Sequence, residues 1–174
     1  VKFAVDIMDN SNLNNLLLNL GERQFWIKPW GHPERSPDEE EQIFNSPTMT
    51  IGFARQPNAV QVGDILLVHR IKVSMLMFVA EVVSSPHQAT DEEIRKNPLL
   101  ERWKWSVEAQ NLTPDFGAHW RNFSLKTFAL ADEFKKSNPN EQFTLGSINF
   151  GNDKVRVPEN FGKFVVQEIM RLEK

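Results

Sequence analysis

Two apolar runs separated by a polar break dominate the hydrophobic pattern of the chain. In the stretch QVGDILLVHRIKVSMLMFVAEVVSSP, Gln61 to Pro86, Gly63-Asp64 reads as a turn and Ile65 to His69 as the first run. Arg70 to Ser74 is the polar break, Met75 to Val83 the second run, and Ser84-Ser85-Pro86 a stop. Both runs have strand length and are rich in β-branched and long apolar side chains, as buried strands are. The short polar connection predicts an antiparallel pair. That pair is expected to be the spine of a small barrel or strongly curved sheet.

The flanking pattern supplies shorter elements. Val1 to Ile7 alternates moderately, as an edge strand or an arm does. Asp9-Asn10-Ser11-Asn12 is cap chemistry ahead of Leu13, Leu16, Leu17 and Leu20 at helical spacing, with Gly21 as the stop. Arg23 to Lys28 reads as a strand ended by Pro29-Trp30-Gly31. His32 to Glu41 is polar, and its acidic run Asp38 to Glu41 reads either as a loop or as the first turn of a short helix through Phe44. Met49 to Ala54 is a short strand in which Gly52 permits a bulge or close backbone approach. Thr90 and Glu93 have capping-box spacing, which predicts a short helix ending before Pro98. Trp103 to Gln110 alternates with Trp103, Trp105 and Val107 on one face, the mark of a half-buried strand. Thr113 to Gly117 reads as a loop, and His119 to Phe134 as partly helical. Phe143 to Val157 reads as a hairpin around Gly151-Asn152-Asp153, and Phe161 to Leu172 as a closing amphipathic helix.

Strands and helices do not alternate in this pattern, so the expected class is α+β on an antiparallel sheet. The 174 residues fit one domain. We divide it into an arm and short helix over 1–22, a barrel core over 23–130, and a hairpin and helix over 131–174. The longest apolar runs are broken by Arg70, Lys72 and Glu81, so no membrane span is expected. A cytoplasmic protein is the default, and Val1 in the first position reads as a trimmed or excised start. The absence of cysteine excludes disulfides and cysteine-ligated zinc. The net charge of −3 argues against binding nucleic acid through a broad basic surface, but leaves room for a local patch.

Catalytic signatures are missing. No phosphate-cradling glycine loop and no Gly-x-Ser-x-Gly elbow occurs. His32, His69, His87 and His119 are scattered singly, without metal-ligand pairing at helical spacing, so neither a metal nor a cofactor is expected. An aromatic and basic constellation remains. Trp26 and Trp30 flank Lys28; Trp103 and Trp105 flank Lys104, with Arg102 adjacent; Arg70 and Lys72 sit in the central connection; and Arg121 follows Trp120. Tryptophan beside basic side chains can stack a base while neighbouring cations hold phosphates. The competing reading places Trp26 and Trp105 in the core. Trp30, between Pro29 and Gly31, is the better candidate for a site.

Taken in order, these motifs resemble the EVE domain of the PUA-like superfamily, to which YTH and ASCH domains also belong. The resemblance rests on the Trp-bearing strand Phe25 to Trp30, on GDILLVHR, on FVAEVVSSP, and on RWKWSVE. It spans about Gln24 to Leu130. It implies a compact barrel flanked by helices, with a pocket at one mouth that accommodates a modified or flipped base in DNA or RNA between aromatic walls. Carried onto this chain, the walls are Trp30 and Trp103, with Trp26 and Trp105 behind them. Asn45, Ser46 and Thr48 serve the base edge, and Lys28, Arg70, Lys72, Arg102 and Lys104 hold phosphates. The implied protein is a nucleic-acid reader without chemistry of its own, the recognition module of a restriction or defence protein. The ASCH-type Gly-x-Lys-x-x-Glu-x-Arg signature is absent, which weakens an enzymatic reading. An enzyme of the same pocket would need His69, His119, Glu81 or Glu108 to converge with Lys28 or Lys104. A protein-interaction module would use the acidic run Asp38 to Glu41.

Overall fold

A computed structural model describes residues 13–31, 43–145 and 154–172. Its strands are β1 (Phe25–Trp30), β2 (Thr48–Phe53), β3 (Ile65–Arg70), β4 (Met75–Val82), β5 (His87–Gln88), β6 (Trp105–Asn111) and β7 (Val155–Val157). Residues 13–18 form helix α1. The later helices are α2 (Asp91–Lys96), α3 (Pro114–Ala118), α4 (Trp120–Phe123), α5 (Thr127–Ser137) and α6 (Glu159–Leu172). The class is α+β. The readings placed on 1–12, on the acidic run Asp38 to Glu41, on His32 and on the turn at Gly151 lie outside the described residues.

The spine forms as its pattern requires. β3 and β4 pair antiparallel from Ile65↔Glu81 to Arg70↔Met75, with an irregularity at Val68/His69. Every residue of β3 is buried, Arg70 included, so the polar break begins one residue later than its charge suggests. Lys72 and Ser74 close the connection with φ of 73° and 55°.

Strand order is β2-β6-β4-β3-β1-β7, with β5 added to β6. β2 and β7 end this path, so among the described residues the hydrogen-bonded ladder does not close into a barrel. The sheet is nevertheless strongly curled. The Lys28 ammonium on β1 lies 4.8 Å from the centre of the Phe53 ring on β2, four positions away along the ladder.

The sheet is not wholly antiparallel, because β1 and β3 run parallel, from Phe25↔Ile65 to Trp30↔Arg70. A parallel pair needs a crossover of a dozen or more residues, and the chain supplies one by building β2 between them. Pro29 is tolerated inside β1 for a positional reason. The carbonyls of Gln24 and Trp30 accept from Ile65 at the start of β3 and from Ile71 just past its end, so residues of that parity face β3 and Pro29 faces the other way. On that side, among the described residues, β7 pairs with Phe25 to Ile27 and not with Pro29, which lacks the N–H a ladder bond would need.

Asp64 fastens the start of the spine to β1. Its buried carboxylate accepts from the Gln24 and Gln61 backbone N–H groups at 3.1 and 3.0 Å, from Trp26 Nε1 at 3.0 Å and from Gln24 Nε2 at 3.1 Å. The Gly63-Asp64 motif therefore turns the chain and also satisfies the indole of the preceding strand. β7 is paired with β1, and 143–145 is not strand, so the described part of the expected C-terminal hairpin takes a different partner. α6 packs its apolar stripe, Phe161, Val165, Val166 and Ile169, into the core.

Candidate functional site

At the C-terminal end of β1 the half-buried Trp30 rests on an aromatic base. Its ring centre lies 5.6 Å from Phe44 and 6.3 Å from Phe78, with interplanar angles of 82° and 74°. Phe44 and Phe78 stack on each other at 4.9 Å. Beneath the next residue, the Arg70 guanidinium takes the space a side chain at Gly31 would need, since a Cβ there would stand 1.7 Å from Nη1. Gly31 also has φ of 122°, which side chains rarely adopt. Arg70 Nη1 donates to the Trp30 carbonyl at 3.4 Å.

The segment that brings Phe44 to Trp30 is pinned at three points. The Phe44 N–H donates to the Gly117 carbonyl at 2.9 Å, Asn111 Nδ2 donates to the Phe44 carbonyl at 2.9 Å, and the Asn111 N–H donates to the Pro47 carbonyl at 2.9 Å. Asn111 Oδ1 also accepts from the Thr113 N–H at 3.0 Å. Asn45 and Ser46 lie between these anchors with exposed side chains, and Thr48 is exposed at the start of β2. Asn111→Ala removes two buried hydrogen bonds at once, and is expected to cost about 2 kcal/mol of stability. Urea unfolding measures that loss, and an unchanged midpoint would mean that the segment is held without Asn111.

The other predicted wall is also half-buried but sits outside the strand assigned to it. Trp103 and Lys104 precede β6, which begins at Trp105. Trp103 packs over Gly52, where an added Cβ would stand 2.9 Å from its own Cβ. That contact is the close approach expected at this glycine. The Arg102 guanidinium lies 5.5 Å from the Trp103 ring centre, and Arg102, Lys104 and Lys72 are exposed. Gly52 adjoins Phe53, which meets Lys28, and Trp30 lies one same-face step beyond Lys28 along β1. Gly52 and Phe53 face opposite sides of β2, so Trp103 packs on the face of β2 away from Lys28, and the two predicted walls do not share one face.

Four residues read as site groups lie in or against the interior. Trp26 is buried with its indole N–H on Asp64, and Trp105 is half-buried against the core. Lys28 is buried, and its ammonium donates to the Pro29 carbonyl at 2.9 Å. Arg70 is 2% exposed. Burial removes Lys28 and Arg70 from the surface a phosphate would reach, which corrects the expectation drawn from their charge.

The groups named for an enzymatic reading are spread over separate partners. His69 is buried with Nδ1 2.6 Å from Thr127 Oγ1, and burial lowers its pKa from 6.5 to about 4. Glu81 pairs with Arg23 at 3.3 Å, Glu108 bonds Thr50, and His119 is exposed. Sequence reasoning missed Phe44, Phe78, Asn111 and Gly117, whose roles come from contacts between distant segments. It also missed that His87, Glu93 and Glu108 come together. A groove of about 500 Å³ lies on the β1–β7 side, lined in part by Arg23, Phe25, Phe143 and Arg156. None of the predicted site residues lines it.

No sequence-family description matches the chain, and no curated protein matches it. Among solved structures it is similar to a hypothetical protein from Leishmania major, at 13% identity and a TM-score of 0.54, covering 88% of this chain and 98% of that one. The two share a fold. It is also similar, at 12% identity and a TM-score of 0.46, to the YTH domain of the Zygosaccharomyces rouxii MRB1 protein, solved in complex with N6-methyladenosine RNA. That match covers 86% of this chain and 88% of the YTH chain. Among the described residues no helix is long and apolar enough to cross a membrane.

Proposed function

We propose that this chain is a nucleic-acid reader that takes a single base, modified or flipped, against Trp30. The observation that carries this reading is the half-buried indole of Trp30 set on the stacked Phe44–Phe78 pair, with exposed Asn45 and Ser46 adjoining Phe44. An indole held by aromatic neighbours offers a rigid stacking surface, and amide and hydroxyl groups beside it can answer a base edge. A methyl group on the base adds apolar contact there. The resemblance to the EVE domain names Trp103 as the second wall, and Arg102 beside its ring supplies a cation for the backbone. Lys72 and Lys104 extend that charge, while Lys28 and Arg70 support the site from within. The motifs shared with the EVE domain favour the same reading and extend it to a recognition module in a larger restriction or defence protein. No chemical step is assigned to the site.

The test is binding of the full chain to short DNA and RNA oligonucleotides, unmodified or carrying methylated adenine or cytosine, at two salt concentrations. Selective binding to one modification that weakens with salt is expected. Trp30→Ala and Trp103→Ala should each lose about 1–3 kcal/mol of binding while remaining folded by circular dichroism. Absence of binding to every oligonucleotide at low salt sinks the proposal. So does full affinity in a folded Trp30→Ala variant.

A further inference from the structure

Away from Trp30, three metal-ligating side chains meet from elements that are separate in sequence. His87 comes from β5, Glu93 from the first turn of α2, and Glu108 from β6. His87 Nε2 lies 3.2 Å from Glu93 Oε2, and one ligand atom from each of the three lies within 4.8 Å of the others. All three residues are half-buried. We propose that His87, Glu93 and Glu108 bind a divalent transition-metal ion of the Zn²⁺ class.

The fold brings the three side chains to one place before any ion arrives. His87 pairs with Ser106 across β5 and β6, and directly opposed residues share a face, which Glu108 also shares two positions on. On its other side Glu108 is opposite Thr50, whose Oγ1 lies 3.0 and 3.1 Å from its two carboxylate oxygens. Glu93 is the third residue of a capping box. Its Oε1 accepts the Thr90 N–H at 3.1 Å, leaving Oε2 toward His87.

The ligand set and its spacing select the ion. One imidazole nitrogen with two carboxylate oxygens suits Zn²⁺ and its neighbours better than Mg²⁺ or Ca²⁺, which take oxygen alone. Two ligands about 2.1 Å from a tetrahedral Zn²⁺ stand about 3.4 Å apart. The His87–Glu93 separation is already close to that edge, and rotation of the Glu108 side chain brings in the third. A second observation points the same way. Ser106 is fully buried opposite His87, and its Oγ has no hydrogen-bond partner among the described residues. A water in the fourth coordination position is a partner of the kind this oxygen lacks. α2 leads through the turn Pro98–Glu101 to Arg102 and Trp103, so an ion here ties the start of that segment to β6. The metal site stands whether or not Trp30 stacks on a base.

The experiment is calorimetric titration of the chelator-treated full chain with Zn²⁺, and with Mg²⁺ as the contrast. One Zn²⁺ per chain is expected, with no comparable Mg²⁺ heat, and His87→Ala and Glu108→Gln should each weaken Zn²⁺ binding by at least about tenfold. Glu108→Gln leaves the capping box and the His87–Glu93 contact intact, so it decides the matter even if His87→Ala does not fold. Histidine NMR supplies a second readout, in which the His87 ring resonances should move with Zn²⁺. No Zn²⁺ binding, or binding of equal strength in wild type and Glu108→Gln, overturns the proposal.

Discussion

Replacing Gly117 by alanine is expected to destabilise the protein by about 3 kcal/mol or more, although alanine is the better helix former. Gly117 is buried in α3, and a Cβ added there would stand 2.0 Å from the Phe44 carbonyl oxygen and 2.9 Å from the carbonyl carbon. Both are backbone atoms, so no side-chain rotation relieves the contact. Nor is Phe44 able to drift, because its N–H is bonded to Gly117 and its carbonyl to Asn111. Either α3 or the Phe44 segment must move by about 1 Å, with loss of one or both bonds. The intrinsic helix preference for alanine returns at most about 1 kcal/mol. Movement of Phe44 would also take it off Phe78 and Trp30, so the variant should lose near-ultraviolet dichroism from the aromatic cluster. Urea unfolding reads the stability change. A Gly117→Ala protein as stable as wild type would show that α3 and Phe44 do not approach as described.

The fold was legible wherever local pattern carried the information. The β3–β4 hairpin, the Thr90–Glu93 capping box and α6 each follow from residues close together in sequence. Direction and partner were not legible. An apolar run has the same period whichever way its neighbour runs, so nothing in Phe25 to Trp30 announces a parallel pair with β3. Thr113 to Gly117 reads as a loop because Pro114 and Gly117 are turn residues. In the structure Pro114 occupies the first helical turn, where a missing N–H costs nothing, and Gly117 is a packing contact. β7 pairs with β1 beside Phe25 to Ile27, a partner no local pattern announces, and the turn expected ahead of it lies outside the described residues.

The site follows the same division. Trp30 could be picked from its neighbours, because Pro29 and Gly31 mark a strand end and strand ends carry sites. Its supports could not, since Phe44 and Phe78 come from distant segments, one leading into β2 and the other on β4 with β3 between it and β1. Charge misled in a consistent way. Lysine and arginine are seldom buried, so Lys28 and Arg70 read as surface cations, yet here the chain closes over them and backbone carbonyls receive both. The histidines were judged by their spacing along the chain. His87 gains its two carboxylates through strand pairing and a helix cap, which leave no period to read.

Between about pH 7 and about pH 4 the protein is expected to lose roughly 3 kcal/mol of stability through His69 alone. His69 is fully buried on β3, with Nδ1 on Thr127 of α5, Nε2 without a hydrogen-bond partner among the described residues, and the Phe128 ring edge-on at 6.2 Å. Removal from water disfavours the imidazolium, and this burial lowers the folded-state pKa from 6.5 to about 4. Above 6.5 both folded and unfolded chains carry the neutral ring, and the contribution is complete. As the pH falls through 6.5 the unfolded chain takes up a proton that the folded chain refuses until about 4. Stability therefore declines across that interval and the His69 share of the decline ends below it. His69→Phe removes the titrating group while filling the cavity, at the cost of the Thr127 bond. Its unfolding free energy should start lower than wild type at neutral pH but fall less steeply toward pH 4, with the two curves differing in slope by up to one proton. Parallel curves would mean that His69 takes its proton at the same pH folded and unfolded, and that the space around it is wetter than the packing of Thr127 and Phe128 implies.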